Sequence, residues 1–185
     1  KMIKRSKEPS PRLRVLDDEE YERLLKACKE VDLIYLENAF VFSIETCVRQ
    51  GELLNARWEN VNFKKQTLFI PDTKTGYLSK ESTSERTIPL SKLAIITLNK
   101  LPRHISGRIF PITRDQLNQK WKLAKKKAKI KNYRYHDNRS TGISWCFEKK
   151  NLNVAEVMTI SGHRSPTILL KRYTKLNPTK IAMKI

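Results

Sequence analysis

Residues 35–63 read YLENAFVFSIETCVRQGELLNARWENVNF, and the spacing of apolar side chains changes inside this stretch. From Tyr35 to Val48, the residues Leu36, Ala39, Phe40, Val41, Phe42 and Ile44 fall on nearly every face of a helix. That pattern predicts a helix buried all round, with Arg49 delivered at its end. After Trp58 the period shortens. Val61-Asn62-Phe63, Thr67 to Pro71 and Arg86 to Leu90 read as three short strands with turn-rich connections, hence a small antiparallel sheet. Upstream, Leu16, Tyr21, Leu24, Leu25 and Cys28 recur at helical spacing behind an Asp17-x-x-Glu20 start, which predicts a helix over 17–31. Downstream, Ser91 can cap a helix to Leu101, and Thr113 with Gln116 forms a capping box for one reaching Lys129. Helices over 137–149, 154–160 and 166–173 follow, with a short one started by Asn177-Pro178. The fold class so read is mainly α with a small three-stranded antiparallel β-sheet, an α+β domain.

The chain has 185 residues, 39% hydrophobic and 31% charged, with 5 Gly and 8 Pro. This is the balance of one globular domain and excludes fibrous or disordered classes. No apolar run approaches the ~18 residues that span a bilayer, and Lys1-Met2-Ile3-Lys4-Arg5 opens no secretory signal. Cys28, Cys47 and Cys146 are odd in number and widely separated, so neither a disulfide framework nor a zinc site is expected and a reducing cytoplasm fits. The first residue is Lys, as in a fragment or a processed product.

Lys and Arg number 38 against 19 acids, a formal charge of +19. The excess is unevenly spread. Residues 16–60 hold 11 of the 19 acids, so the rest of the chain is more basic still. The densest block is KWKLAKKKAKIKNYR, with Lys120, Lys122, Lys125, Lys126, Lys127, Lys129, Lys131 and Arg134 and no acid. A helix this uniformly charged repels itself unless a polyanion lies against it, so these eight residues are the candidate tracker of a phosphate backbone. Residues 1–14, with Pro9 and Pro11, read as a flexible basic linker, and 15–185 as one domain.

Five groups spread over more than 120 residues call for one explanation: Arg49-x-x-Glu52, Lys74 within Thr73-Lys74-Thr75-Gly76, His136-x-x-Arg139, Gly162-His163 and Tyr173. The stretches TCVRQGELLNARW, TKTG followed by ERTIPL, YHDNRST and SGHRSPTILLKRYTKL stand in one order, and together they resemble the catalytic signature of the tyrosine recombinases, the phage integrase family. The resemblance runs from about Val15 to near the end of the chain. It implies the catalytic set Arg49, Glu52, Lys74, His136, Arg139, His163 and Tyr173, the family's catalytic-domain fold, and DNA cleavage and rejoining through a 3′-phosphotyrosine without metal, ATP or other cofactor. It also implies that 15–185 is the catalytic domain, that the partner is double-stranded DNA with the linker lying against it, and that the assembly is a homo-tetramer on DNA, with the tail from Leu176 to Ile185 docking on a neighbouring subunit, and a monomer for the isolated domain. The helical core-binding domain that usually precedes this one is expected to be absent from the chain.

These residue types suit that chemistry. Exchanging one phosphodiester for another needs a nucleophile, a leaving-group acid and cationic donors around the growing charge on the phosphoryl group. Two Arg forks match two non-bridging oxygens as Lys cannot. By the resemblance, Lys74 is the acid for the leaving 5′ oxygen, and His136 and His163 bind phosphate or move the proton of the nucleophile. Glu52, three residues after Arg49, faces the same side of a helical turn and orients an Arg or His. His104 in Pro102-Arg103-His104 reads as surface.

Three positions depart from the family pattern. Cys47 replaces a common Gly, a change expected to alter packing and touch no catalytic atom; Asn138 replaces a Leu, putting an amide where apolar packing is expected; Ser140 replaces a His. Two rival readings are a type IB topoisomerase-like strand transferase and a DNA-binding module whose catalytic centre has decayed. A two-metal nuclease needs clustered carboxylates, which this sequence does not supply.

Overall fold

The computed structural model describes residues 13–71 and 85–173. Helix α1 (Asp18–Lys29) starts where the sequence places its cap, with Asp17 accepting from the Glu20 backbone N–H at 2.7 Å. Arg14, assigned above to the linker, donates to Glu20 at 2.7 Å and lies over the Tyr133 ring, so it is fastened to the domain. Leu13 packs against the small apolar cluster described below, and residues 1–12 of the linker lie outside the described residues, as do Lys74 and its loop and the tail after Tyr173.

Helix α2 (Leu36–Thr46) is buried on almost every face, as its run of apolar residues demands. It does not carry Arg49 at its end. Cys47 turns left-handed at φ 53, which breaks the helix, and a separate helix α3 (Gln50–Asn55) begins with Arg49 as its N-cap. The Glu52 carboxylate accepts from the Arg49 backbone N–H at 2.8 Å, satisfying one of the orphan donors of that short helix.

Beyond a single 3₁₀ turn at Trp58–Asn60, strands β1 (Val61–Asn62), β2 (Thr67–Ile70) and β3 (Arg86–Pro89) form the expected antiparallel sheet in the order β1-β2-β3. Leu68 pairs with Ile88 and both are buried, while Ile70 pairs with Arg86. Pro89 sits on an edge strand, where its missing N–H costs no ladder bond. Helices α4 (Lys92–Asn99) and α5 (Arg114–Lys127) are capped by Ser91 and by the Thr113/Gln116 box, as read from the sequence. α5 stops before Lys129, which takes φ 57.

Helices α6 (Asp137–Glu148), α7 (Val154–Ser161) and α8 (Pro166–Tyr173) complete the domain. α6 lies unusually close to α2 because residue 142 has no side chain: a Cβ on Gly142 would stand 2.2 Å from the Ile44 carbonyl oxygen and 2.9 Å from Cys47 Sγ. One large apolar core joins α1, α2, α4, α5 and the sheet. A second, small cluster of Cys47, Ile143, Cys146, Val157, Ile160, Leu169 and Tyr173 lies under α6, α7 and α8. The cysteines are buried and free, with Cys47 and Cys146 sulfurs 4.0 Å apart. Among the described residues no helix is long and apolar enough to cross a membrane.

Candidate active site

The break after α2 builds the site. Because α2 ends at Cys47 instead of running on, the Cys47 carbonyl is left without a helical partner, and Arg139 of α6 donates to it through Nη1 at 2.6 Å. Arg139 Nη2 donates to the Ser161 carbonyl at the last residue of α7, also at 2.6 Å. One guanidinium thus ties the end of α2 to the end of α7, using two of its five donors. The Cys47 side chain itself meets only the Ile44 carbonyl and Cys146 Sγ among the hydrogen bonds of the described residues, while its backbone oxygen, which any residue there would supply, holds Arg139; its left-handed φ explains why Gly suits that position.

Arg139 is 5% exposed. Burial, and then the like charge of Arg49, bring its pKa down to about 10, so it remains a cation at neutral pH. Arg49 is the more open of the two, with 30% of its side chain exposed, and its Nη1 donates to Glu52 Oε1 at 3.0 Å. Glu52 is buried. Burial alone would raise its pKa, but two hydrogen bonds from Arg86 and the charges of Arg86 and Arg49 outweigh that and take it to about 2. The carboxylate is therefore ionised at neutral pH, an anion within a group of three guanidinium ions.

Arg86 is the residue that sequence reasoning missed. It donates to both Glu52 oxygens at 2.9 Å in a fork-to-fork pair. A signal was present: in a strand alternate residues share a face, so Arg86 points the same way as Ile88, which is fully buried. An Arg on the core face of a strand requires a buried acid, and Glu52 is the acid available.

Gly162 follows α7 with φ 70, and a Cβ there would stand 2.8 Å from Arg86 Nε, so glycine is needed both for the turn and for the close approach. The turn brings His163 Nδ1 to 2.7 Å from Ser161 Oγ. His136 is exposed at the N-cap of α6, one turn before Arg139. Tyr173 closes α8 with its ring in the small apolar cluster and its hydroxyl 3.4 Å from Ser140 Oγ, beside Arg139 in sequence. The amide of Asn138 does lie among buried groups: Oδ1 accepts from the Tyr133 hydroxyl at 2.8 Å, and Nδ2 has no hydrogen-bond partner. His104 is exposed and hydrogen-bonded to Ser106.

The basic block does not form one face. Along α5, Arg114, Asn118, Lys122 and Lys125 recur at i, i+4, i+8 and i+11 and share the edge next to α3. That edge is located by Gln50 Nε2 donating to Asn118 Oδ1 at 2.9 Å and by Arg114 Nη2 standing 3.8 Å from where a Cβ on Gly51 would be. On the other side, Lys120, Lys126 and Lys127 line an open groove of about 490 Å³ together with Glu30 and Asp32, and Lys127 pairs with Glu30 at 2.9 Å. Lys129, Lys131 and Arg134 are exposed beyond the helix. Among the described residues no group of three or more His, Cys, Asp or Glu could hold a metal ion.

The chain belongs to the phage integrase family, whose model matches residues 14–180. It is similar to the shufflon-specific DNA recombinase of Escherichia coli, with 34% identity over 184 residues, covering 100% of this chain and 46% of the relative. A putative integrase/recombinase of Haemophilus influenzae is 32% identical over 188 residues, covering 94% of this chain and 48% of its own length. The chain thus spans about half the length of the curated relatives it matches. In structure it is similar to a lambda integrase(75-356) dimer bound to a COC′ core site, with TM-score 0.72, 18% identity, and 95% and 64% of the two chains covered. The catalytic domain of bacteriophage HP1 integrase gives TM-score 0.69 and 22% identity, with 94% and 95% covered. These structural likenesses establish the fold.

Proposed function

We propose that this chain is the catalytic domain of a site-specific recombinase that cleaves and rejoins double-stranded DNA through a phosphotyrosine, independently of metal and ATP. The observation that carries the reading is the bridging of Cys47 and Ser161 by Arg139, which ties the ends of α2 and α7 to α6, whose next residue, Ser140, lies 3.4 Å from the Tyr173 hydroxyl. In this reading the Tyr173 phenol oxygen attacks the scissile phosphorus and becomes esterified to the 3′ phosphate. The 5′ oxygen leaves with a proton from Lys74. Arg49 and Arg139 grip the non-bridging oxygens as charge grows on them, and His136 and His163 bind phosphate or accept the phenolic proton. Because the phosphotyrosine keeps the energy of the broken ester, a second 5′ hydroxyl can reverse the step without a nucleotide. The edge of α5 next to α3 follows the duplex, and four such subunits on two duplexes complete the exchange in the cytoplasm.

The test is covalent trapping on nicked suicide duplexes of randomised sequence, in EDTA and without nucleotide. The wild-type chain is expected to form an adduct stable to denaturant. Tyr173→Phe should form none while retaining duplex binding, and an adduct persisting in that variant refutes the assignment. Failure of the wild-type chain to form any adduct supports the decayed DNA-binding module instead.

A further inference from the structure

We propose that Arg86 is a positioning residue for the strand-exchange site, fixing the Glu52 carboxylate against Arg49 and, with the same guanidinium, seating the turn that presents His163. The inference rests on the reading of the site as a phosphoryl-transfer centre and adds to it a residue from the sheet.

Three observations converge on this side chain. Each Glu52 oxygen receives one bond from Arg86 at 2.9 Å and one from Arg49, the side chain on Oε1 at 3.0 Å and the backbone N–H on Oε2 at 2.8 Å. The Arg86 fork therefore sets the plane of the carboxylate, and that plane sets Arg49. Second, Arg86 Nε donates to the Ile160 carbonyl at 3.4 Å, while Arg139 takes the next carbonyl along, that of Ser161. Two adjacent carbonyls at the C-terminal end of α7 are thus shared between two guanidinium ions, where the helix dipole favours positive charge. Third, Gly162 lies flush on Arg86, its absent Cβ falling 2.8 to 3.0 Å from Nε, Cζ and Cδ. Only 10% of the Arg86 side chain is exposed, and Glu52 has more than one Arg to neutralise it. A simple counter-ion needs none of this geometry. A lysine would supply the charge without the fork or the Nε bond.

Arg86→Lys and Arg86→Gln are the variants, assayed at single turnover for adduct formation with the randomised nicked duplexes. Arg86→Gln should form adduct about 10²-fold more slowly, the scale on which a small misplacement of a catalytic group acts. Arg86→Lys should fall between that variant and wild type, and duplex affinity should stay within about twofold in both, since a positioning group changes the chemical step and leaves phosphate contacts in place. The pH profile separates positioning from mere support. With Arg86 present, Glu52 is ionised down to about pH 2. With the fork removed, burial raises the Glu52 pKa, so the Arg86→Gln rate should fall further as pH drops from 7 to 5 while wild type loses nothing through this group. A loss of rate equal at every pH, or wild-type rates in both variants, overturns the proposal.

A second readout needs no DNA. The carboxyl titration of Glu52 and the ring nitrogen resonances of His163, followed by NMR, should both shift in Arg86→Gln, or in Arg86→Lys if the former does not fold. Unmoved signals overturn the proposal. Failure of the strand-exchange reading is seen separately, in the wild-type chain or in Tyr173→Phe.

Discussion

The two apolar clusters differ in more than size. The large core gathers α1, α2, α4, α5 and the sheet around Phe40, Phe42, Phe110 and Trp121, a set of bulky aromatic side chains from elements far apart in sequence. The small cluster is built mainly from Cys, Val, Ile and Leu side chains, with Tyr173 as its one buried aromatic among the described residues and Leu169 as its anchor in α8. The chain passes from one to the other in a single step, since Val48 belongs to the large core and Cys47 to the small one. Arg49 comes next. The charged groups of the site therefore stand on the seam, where rigid support from one side meets a lightly anchored helix carrying the proposed nucleophile.

Cutting one side chain in each cluster tests that division. Phe40→Ala should lower the stability of the whole domain by about 3–5 kcal/mol, seen as a displaced urea midpoint. Leu169→Ala should act locally: α8 amides should exchange faster and the adduct rate should drop, while the midpoint moves less than for Phe40→Ala. Equal displacement of the midpoint by both would mean that the two clusters unfold as one.

Gly142→Ala attacks the seam itself. A Cβ placed 2.2 Å from the Ile44 oxygen forces α6 away from α2, and overpacking of this kind costs about 1–3 kcal/mol. Because Arg139 lies three residues earlier on α6 and is held by the Cys47 carbonyl, the same shift should slow adduct formation. A stable variant with the wild-type rate would show that α2 and α6 can separate without moving Arg139.

Local signals survive translation into structure and long-range ones do so unevenly. The caps at Asp17, Ser91 and Thr113 and the strands flanking Leu68 were legible because each depends on residues within a few positions of one another. The division between α2 and α3 was not, because TCVRQGELL continues a helical pattern and only the φ of 53 at Cys47 interrupts it. Of the site, Arg49, Glu52 and Arg139 could be picked out by motif, and the structure sets them close together. Arg86 stood inside a matching stretch, ERTIPL, but was given no role there. Its partner lies 34 residues earlier, and the clue was one of burial, a charge on the inward face of β3. The basic block misled in the opposite direction, since composition counts lysines without regard to the side of the helix they occupy.

That last difference gives the smallest effect and the sharpest contrast within one helix. Lys122 lies on the α5 edge next to α3, whereas Lys127 is paired with Glu30 across the groove on the other side. Each phosphate contact contributes a slope of about −0.9 to log affinity against log salt. Lys122→Ala should therefore make the slope shallower by about that amount on any duplex sequence, and Lys127→Ala should leave it unchanged. The reverse result would move the DNA track to the groove side of α5, away from α3, and so separate it from Arg49. A loss of about 0.9 from both would mean that the duplex displaces Glu30 from Lys127 and covers the helix from edge to edge.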